Sequence, residues 1–589
     1  MTRDEYSTPS LNGFVWHILS CSDRAAQMLA DRFSIPESMA RVLVERDVPF
    51  DDVEAFLYPK LREHLPHPFS LKDMEKAAAR MATAVMAKEP IGIMGDYDVD
   101  GATSTAVLKL YLEKCGVKVL TFIPERDDGY GPNAKKMQEY KEAGCHVVAT
   151  LDCGTTAFEP IKAGTDLGLD VIVLDHHNAE SVLPDAYAVV NPKRLDEDID
   201  HPCRYMAAVG VVFLFVVALN KTLREKGFWQ GKTEPNLIQF LDLVAFGTIC
   251  DVIKLTGVNR LLVKTGLAQM ATGQNVGLSA LARLVNLEER PNAYHLGYLF
   301  GPRVNACGRV GTSELGMKLL SCQDPLEADV LAHELETFNT LRKDIENEVL
   351  AQATDQVNEQ LAAKRPFIVV QGKDWHCGVI GIVAGRLKER YNLPVFALTC
   401  DKDEIKGSSR SVKGVDIGNL IIQAVSEGIV SHGGGHAMAA GFSLQQDKLP
   451  DFISFLTKNI KAEQILENIP SLDISGVFNL SGITLDFAKS LQLLAPFGEG
   501  NPEPLFVIQH VRIPYCKLLK NGHISCSLVN EDGRTMKAVA FRAADTELGQ
   551  QMLNSHGNHF FDVAVTVQAT MWRAVEQVQI HIVDMRVSA

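Results

Sequence analysis

Between Ile91 and Lys193 short apolar runs alternate with longer amphipathic stretches. "IGIMGDYD", "KVLTFIPE", "HVVATLDCG" and "DVIVLDHH" each hold a brief run that is apolar on both faces, and "ATSTAVLKLYLEKCG", "AKKMQEYKEAG", "AFEPIKAGTDLG" and "AYAVVNPK" follow them in turn. Brief, two-faced apolar runs read as covered strands, and their alternation with helical segments predicts a parallel, doubly wound sheet. In such a sheet the carboxyl ends of the strands converge on one edge, where ligands sit. The helix after the first run is expected to start near Ser104.

Elsewhere the pattern changes. From Trp16 to Pro66 the text is helical in character, as in "DRAAQMLADRFSI" and "ESMARVLVERDV". "AAVGVVFLFVVAL", from Ala207 to Leu219, has the length of a buried core helix. From Pro325 to Lys364, Leu326, Val330, Leu331, Leu335, Phe338, Leu341, Ile345, Val349 and Val357 recur at helical spacing. At 1.5 Å per residue this is a connecting helix of roughly 55 to 60 Å. A second α/β region runs from Phe367 to Leu444. After about Leu472 short strands follow one another, which suits a small closed barrel. The expected divisions are a helical lead-in (1–66), an α/β domain (67–310), connecting helices (311–365), a second α/β domain (366–455) and the barrel (470–589).

The chain has 589 residues, 46% of them hydrophobic, enough for several cores. No apolar stretch reaches the roughly 20 residues of a membrane helix, and the start "MTRDEYSTPS" holds no signal-peptide core, so a cytoplasmic protein is expected. Twelve cysteines are scattered without a C-x-x-C pair, as in a reduced protein with no thiolate zinc site. The net charge of −15 argues against non-specific coating of nucleic acid but leaves room for a local basic groove.

"GDYDVDG" sets Asp96, Asp98 and Asp100 two residues apart and ends in glycine. The spacing fits the first half of a calcium loop, but the position where that loop needs a bidentate glutamate is Val107, and the upstream run is a strand. Further acidic or imidazole groups stand where the sheet reading puts strand ends: Asp152 in "LDCGT", Asp175, His176 and His177 in "VLDHHN", and Asp251 in "GTICDVIKL". A lone aspartate there is more often a helix cap, whereas several together suit two Mn²⁺ or Mg²⁺ ions sharing a bridging carboxylate. Such a pair, about 3.5 to 4 Å apart, is the usual clamp for in-line displacement at phosphorus.

Two other motifs carry less. "GFWQGKT" is one residue short of a nucleotide-binding loop and follows a charged helical stretch. "HGGGH" at His432–His436 has no G-x-S-x-G partner for esterase chemistry and reads as a phosphate cradle or a tight turn, with "GSSRS" at Gly407–Ser411 adding hydroxyls and Arg410.

"DYDVDG", "LDCG", "DHH" and "GTICDV", followed by "GPRVNACGR", "WHCGVIGIVAGR", "GSSRS" and "SHGGGHAMAAGF", closely resemble the RecJ single-strand-specific 5′→3′ exonucleases of the DHH phosphoesterase superfamily. The resemblance runs from about Phe56 to "PFGEGNPEP" at Pro496–Pro504. It implies an α/β protein in which a parallel-sheet DHH domain is joined by a long helix to a DHHA1 domain, with a C-terminal OB-fold. It implies metal on Asp96, Asp98, Asp100, Asp152, His176 and Asp251, catalysis through His177, Asp98 and Asp152, and a 5′-phosphate pocket from Arg126, Ser408 and Arg410. Arg303, Asn305, Arg309, His376, His432, Gly434 and His436 are the further expected phosphate or DNA contacts. Single-stranded DNA is the implied substrate, single-strand-binding protein and a RecQ-type helicase are the implied partners, and a monomer without membrane contact is expected. The other reading, a DHH phosphoesterase for short oligoribonucleotides or cyclic dinucleotides, leaves the barrel unexplained. Between Leu505 and Arg542 that barrel carries six Lys or Arg against two Asp or Glu, with Tyr515 and Phe541 interleaved. It is expected to supply affinity rather than chemistry, so that deletion after about Pro470 weakens DNA binding and flattens its salt dependence.

Overall fold

The structure is a computed structural model and describes residues 6, 8–126, 129, 131–361, 365–401, 404–461, 470–572 and 575–588. The chain divides into two compact units: Met1–Asn305 with Ser313–His333 and Pro470–Ala589, and Ala306–Thr312 with Glu334–Ile469.

In the first unit, strands Ile91–Met94, Val119–Phe122, Val147–Leu151, Asp170–Leu174 and Ala188–Val190 form a five-stranded sheet with all neighbours parallel. In space Val119–Phe122 comes first, then Ile91–Met94, Val147–Leu151, Asp170–Leu174 and Ala188–Val190. The strand order reverses between Ile91–Met94 and Val147–Leu151. A ligand crevice opens at such a switch point, because the connections leave those two strand ends in opposite directions. Helix Val99–Lys114 begins five residues earlier than its apolar spacing suggests, because Asp98 caps it, its Oδ1 accepting from Gly101 N at 3.0 Å. "AAVGVVFLFVVAL" is buried within helix Ala208–Glu225.

Strands Leu505–Leu518, Ile524–Val529, Thr535–Ala540, Val575–Val587 and Phe561–Trp572 pair in turn, and the last pairs back to the first, closing a five-stranded barrel. Closure leaves no open edge among these strands. The residues around Trp16, expected to be helical, instead form strand Val15–Ile18, which pairs in parallel with Ser471–Phe478. Trp16 is buried there with its indole Nε1 donating to Asp584 Oδ2 at 2.7 Å. Four residues carry too little periodicity to separate strand from helix.

The lead-in helices do not stand apart. Leu29, Met39, Leu43, Val53 and Leu57 share one core with Phe506, Ile524, Phe561 and Ile580 of the barrel. Removing the chain after Pro470 would therefore strip the N-terminal helices of their partners, and a truncated protein would report on stability as much as on DNA affinity. The "PFGEGNPEP" loop is also tied to the sheet domain. Arg260, 2% exposed, donates to Phe56 O (2.9 Å), Leu494 O (2.9 Å), Leu493 O (3.2 Å) and Ala495 O (2.9 Å). Burial pushes its guanidinium down to about 9. Lys264 adds Leu57 O at 2.6 Å, and Leu255 N donates to Glu499 O at 2.8 Å. Arg260→Met is expected to cost about 3 kcal/mol, since it orphans buried carbonyls that a thioether cannot satisfy. Arg260→Lys should recover only part, because an ammonium lacks the planar fork. Thermal denaturation checks this, and an unchanged midpoint for the methionine variant would contradict it.

Helix Pro325–Leu361 spans the connecting region. Leu335, Val349 and Val357 are buried, but Leu326 and Val330 lie exposed, so the apolar spacing is not buried along its whole length. In the second unit, strands His432–His436, Ala439–Gln445, Glu404–Arg410, Val395–Asp401 and Ile368–Lys373 lie side by side in that order, and only the last two are parallel. "HGGGH" is thus neither loop nor turn but an exposed edge strand. Glycine lets it lie close: a Cβ on Gly433 would meet Phe442 Cβ at 2.7 Å and Ile421 Cγ2 at 2.8 Å. No described helix is long and apolar enough to cross a membrane.

Candidate metal centre

Two glycines let the first strand end fold back on its helix. A Cβ on Gly101 would lie 2.4 Å from Asp96 O, and one on Gly95 would lie 2.1 Å from Thr105 Oγ1. Asp96 is consequently buried beside the helix N-terminus, and its Oδ1 has no hydrogen-bond partner among the described residues. Asp100, in the first turn, accepts from Ala208 N (2.7 Å) and Val209 N (2.9 Å), the start of the next long helix. Asp152 follows the neighbouring strand in a left-handed conformation, φ 60°. A non-glycine residue held there is strained, and such strain is tolerated where the position is needed.

Asp175 ends the third strand of this edge and organises the two histidines. Its Oδ1 accepts from His176 N (2.7 Å), His177 N (3.2 Å) and His177 Nδ1 (2.8 Å), while Oδ2 accepts from Thr155 N (3.0 Å). Burial opposes this carboxylate's charge, but His177 and the N–H donors outweigh it and hold Asp175 below the usual carboxylate range. Burial likewise opposes charge on His177, yet Asp175 raises that ring to about 9. His176 differs. Its Nδ1 lies 3.0 Å from Met206 O, which can only accept, so Nδ1 carries the proton and Nε2 presents a lone pair. Nε2 stands 3.3 Å from Asp152 Oδ1, 3.6 Å from Asp251 Oδ2 and 3.9 Å from Asp100 Oδ2.

Asp251 reaches this cluster by a route the strand-end reading misses. It follows helix Leu241–Cys250, not a strand. That helix is apolar on nearly every side, and periodicity cannot separate such a segment from a buried strand. It packs tightly on helix Val99–Lys114: a Cβ on Gly247 would lie 2.4 Å from Thr103 Oγ1 and 3.0 Å from Asp100 Oδ1.

Three groups of ligand atoms each lie within 4.8 Å of one another: Asp96, Asp98 and Asp152; Asp100, His176 and Asp251; and Asp152, His176 and His177. Asp152 belongs to the first and third, and its Oδ1 also faces His176 of the second. Burial first, then the neighbouring carboxylates, raises Asp96 to about 8 and Asp100 and Asp251 to about 7, and lifts Asp152 well above its ordinary value. Carboxylates crowded and buried this way lack positive charge, and the oxygen-rich donor set with one neutral imidazole fits Mn²⁺ or Mg²⁺. When bound, two such ions supply an activated water and neutralise charge on a phosphodiester. Lys193 was missed in the sequence. Burial lowers its ammonium while Asp251, Asp175 and Asp152 face it. Only "NPK", after the last strand of the sheet, marked it.

The remaining candidates are spread over the chain. Arg126 lies 4.2 Å over the Tyr97 ring, within the field of Asp96. Asp127 and Asp128, its possible surface partners, lie outside the described residues. Arg303 and Asn305 sit on helix Gly301–Val310, where Arg303 Nη1 donates to Leu299 O at 2.6 Å. In the second unit Arg309 and His376 meet at Gly378: Arg309 Nη1 donates to its carbonyl (2.9 Å) and His376 Nδ1 accepts from its N–H (3.1 Å). Ser408 and Arg410 share a strand beside Gly381, with Arg410 Nη1 donating to Ser409 O at 2.8 Å. His432, Gly434 and His436 lie on the edge strand, separated from Ser408 and Arg410 by strand Ala439–Gln445.

A parallel sheet with carboxylates and histidine at its switch point, joined to a second α/β unit and a barrel, defines a metal-dependent phosphodiester hydrolase of the DHH type. Family models agree: the DHH family N-terminal domain matches residues 90–248, the DHHA1 domain residues 364–462 and the RecJ OB domain residues 474–584. The single-stranded-DNA-specific exonuclease RecJ of Escherichia coli is 34% identical over 77% of this chain and 80% of its own length. The Bacillus subtilis protein of that name is 32% identical over 91% of this chain, which spans 66% of the relative. The crystal structure of Thermus thermophilus RecJ in complex with Mn²⁺ matches with a TM-score of 0.79 at 28% identity, over 97% of this chain and 79% of that one. A second structure of that protein is in complex with Mg²⁺. The chain belongs to the RecJ family of single-stranded-DNA-specific exonucleases.

Proposed function

We propose that this chain removes 5′-mononucleotides from single-stranded DNA in the 5′→3′ direction, using two Mn²⁺ or Mg²⁺ ions. The observation that carries the reading is the convergence of Asp96, Asp98, Asp100, Asp152, His176 and Asp251 on one sheet edge, with Asp152 common to two ligand groups. Asp96, Asp98 and Asp152 would hold one ion, Asp100, His176 and Asp251 the other, with Asp152 shared. Asp175 holds His177 by Nδ1, so the ring's other nitrogen is the one suited to donate to a phosphate oxygen or to the departing sugar oxygen. The closed barrel supports a polymeric strand over a dinucleotide substrate. End-labelled single-stranded and duplex DNA, each with and without Mn²⁺, tests the reading. Loss of label as mononucleotide from the single strand alone, and only with metal, is expected; equal cutting of duplex would contradict it.

Direction needs a group that recognises the chain end, because a metal pair meets the same phosphodiester from either side. Arg410, with Ser408, offers a planar fork for a terminal 5′ phosphate, and Arg126 is assigned as a phosphate contact of its own unit. Arg303, Asn305, Arg309, His376, His432, Gly434 and His436 are assigned as further phosphate or DNA contacts. Charged hydrogen bonds contribute roughly 1.5 to 3 kcal/mol, so Arg410→Ala should slow cleavage of 5′-phosphorylated strands by about one to two orders of magnitude and 5′-hydroxyl strands much less. Equal losses on both would mean that the arginine acts elsewhere. The chain is assigned to the cytoplasm as a monomer serving DNA repair and recombination, with single-strand-binding protein and a RecQ-type helicase as partners; co-sedimentation with each tests this.

A further inference from the structure

Two tyrosines stand in the open on a turn that packs against Ile249 and Cys250, just before Asp251. Tyr294 is 59% and Tyr298 71% exposed, and their rings stack at 5.2 Å with 27° between the planes. Tyr298 lies in the π-helical turn His295–Phe300, which Tyr294 immediately precedes. A single π-turn is rare and often marks a functional position, because its looser ladder offers no stability of its own. Here the frame around it is rigid. Asn292 Oδ1 accepts from His295 N (3.2 Å) while His295 Nδ1 accepts from Asn292 N (3.1 Å). Phe300 is buried edge-on to Phe246, 6.3 Å between centroids.

The turn is held against the residues that carry Asp251. Gly301 leaves no room for a side chain, since a Cβ there would lie 2.6 Å from Cys250 Sγ, and one on Gly297 would touch Ile249 Cγ2 at 3.5 Å. The Cys250 thiol donates to Leu296 O at 3.5 Å. Cys250 immediately precedes Asp251, whose Oδ2 lies 3.6 Å from His176 Nε2. The tyrosine pair is thus carried on a turn packed against Cys250, the residue that precedes the metal-site carboxylate Asp251.

We propose that Tyr294 and Tyr298 form a stacking platform for an unpaired nucleobase of the strand whose phosphate occupies the Asp152–His176 centre, a proposal that rests on the exonuclease reading above. Two large aromatic faces exposed to water lose apolar contact unless something covers them, and a base is a flat partner of matching size. Stacking accepts any base, as a non-specific exonuclease requires, and contributes roughly tenfold or more in affinity per base. A paired base has both faces covered inside the duplex and cannot use the platform, so the pair also favours single strands.

The test uses the full chain and two 5′-phosphorylated single strands of equal length, one ordinary and one with tetrahydrofuran abasic residues over its first several nucleotides. Binding is read by fluorescence anisotropy in EDTA, and cleavage separately in Mn²⁺. For Y294A/Y298A, affinity for the ordinary strand should fall about tenfold to a hundredfold while affinity for the abasic strand stays unchanged; Y294F/Y298F should keep wild-type binding, since the face and not the hydroxyl is used. Equal losses on both strands, or none, would overturn the proposal, provided thermal melting shows the variant folded. Since both rings are exposed, the phenylalanine pair serves as the folded control. A wild-type chain that binds the strand but does not shorten it in Mn²⁺ would sink the exonuclease reading, whereas the anisotropy ratio alone decides the tyrosines.

Discussion

Asp152→Asn is expected to lower hydrolysis of single-stranded DNA by about 10⁴-fold or more while the fold survives. Asp152 lies within one set of ligand atoms with Asp96 and Asp98 and in another with His176 and His177, so its loss impairs both halves of the centre at once. The fold should not suffer, because the side chain is one of several buried carboxylates that repel one another. Without metal, Asp96 at about 8 and Asp100 and Asp251 at about 7 stand above the ordinary carboxylate value, so the native state holds protons that the unfolded chain has released. Metal-free stability therefore falls as pH rises from about 4 to about 8. Asparagine removes one charge from this cluster, so in EDTA the variant should melt higher than wild type at pH 8 and little differently at pH 5. Mn²⁺ should raise the melting temperature of the variant less than that of wild type, because binding to the native state alone produces that gain. Hydrolysis near the wild-type rate, or an undiminished Mn²⁺ gain, would sink the shared-ligand assignment.

Asp175→Asn should reduce kcat by about 10²-fold and leave KM close to wild type, as expected for a group that orients ligands rather than touching substrate. One carboxylate oxygen accepts three N–H groups of the His176–His177 step, at 2.7, 3.2 and 2.8 Å. A neutral amide oxygen accepts these more weakly, and an amide turned the other way would present N–H to N–H. His177, raised to about 9 by Asp175 against the effect of burial, would lose that support and its fixed orientation together. Single-turnover rates and Mn²⁺ titration separate the cases. A collapse of metal affinity with wild-type kcat at saturating Mn²⁺ would make Asp175 a metal ligand instead.

Much of this centre is visible along the chain because a covered parallel sheet leaves a plain pattern. Brief apolar runs ending in polar residues identify the strands, and the edge they share brings Asp96, Asp152 and His176 together wherever the helices lie. Asp251 is a different case. "LDLVAFGTIC" is apolar apart from Asp242 and Thr248, so helix and strand look alike until Gly247 is seen pressed against Thr103. Asp175, noted as part of a cluster, shows its orienting role only through its hydrogen bonds to His177 and Thr155. Lys193 is marked only by its place in "NPK", after the last strand of the sheet.

The sequence by itself determined the two α/β regions, the barrel and the oxygen-rich chemistry of the strand ends, because period and residue type are local properties. Only the tertiary structure decided that the lead-in helices complete the barrel core, that "HGGGH" is an edge strand, that Arg260 fastens the glycine-rich loop, and that two exposed tyrosines stack on a turn packed against Cys250. Each of these depends on which distant surfaces meet, and that is set by packing a whole core at once, where a buried side chain answers to neighbours hundreds of residues away.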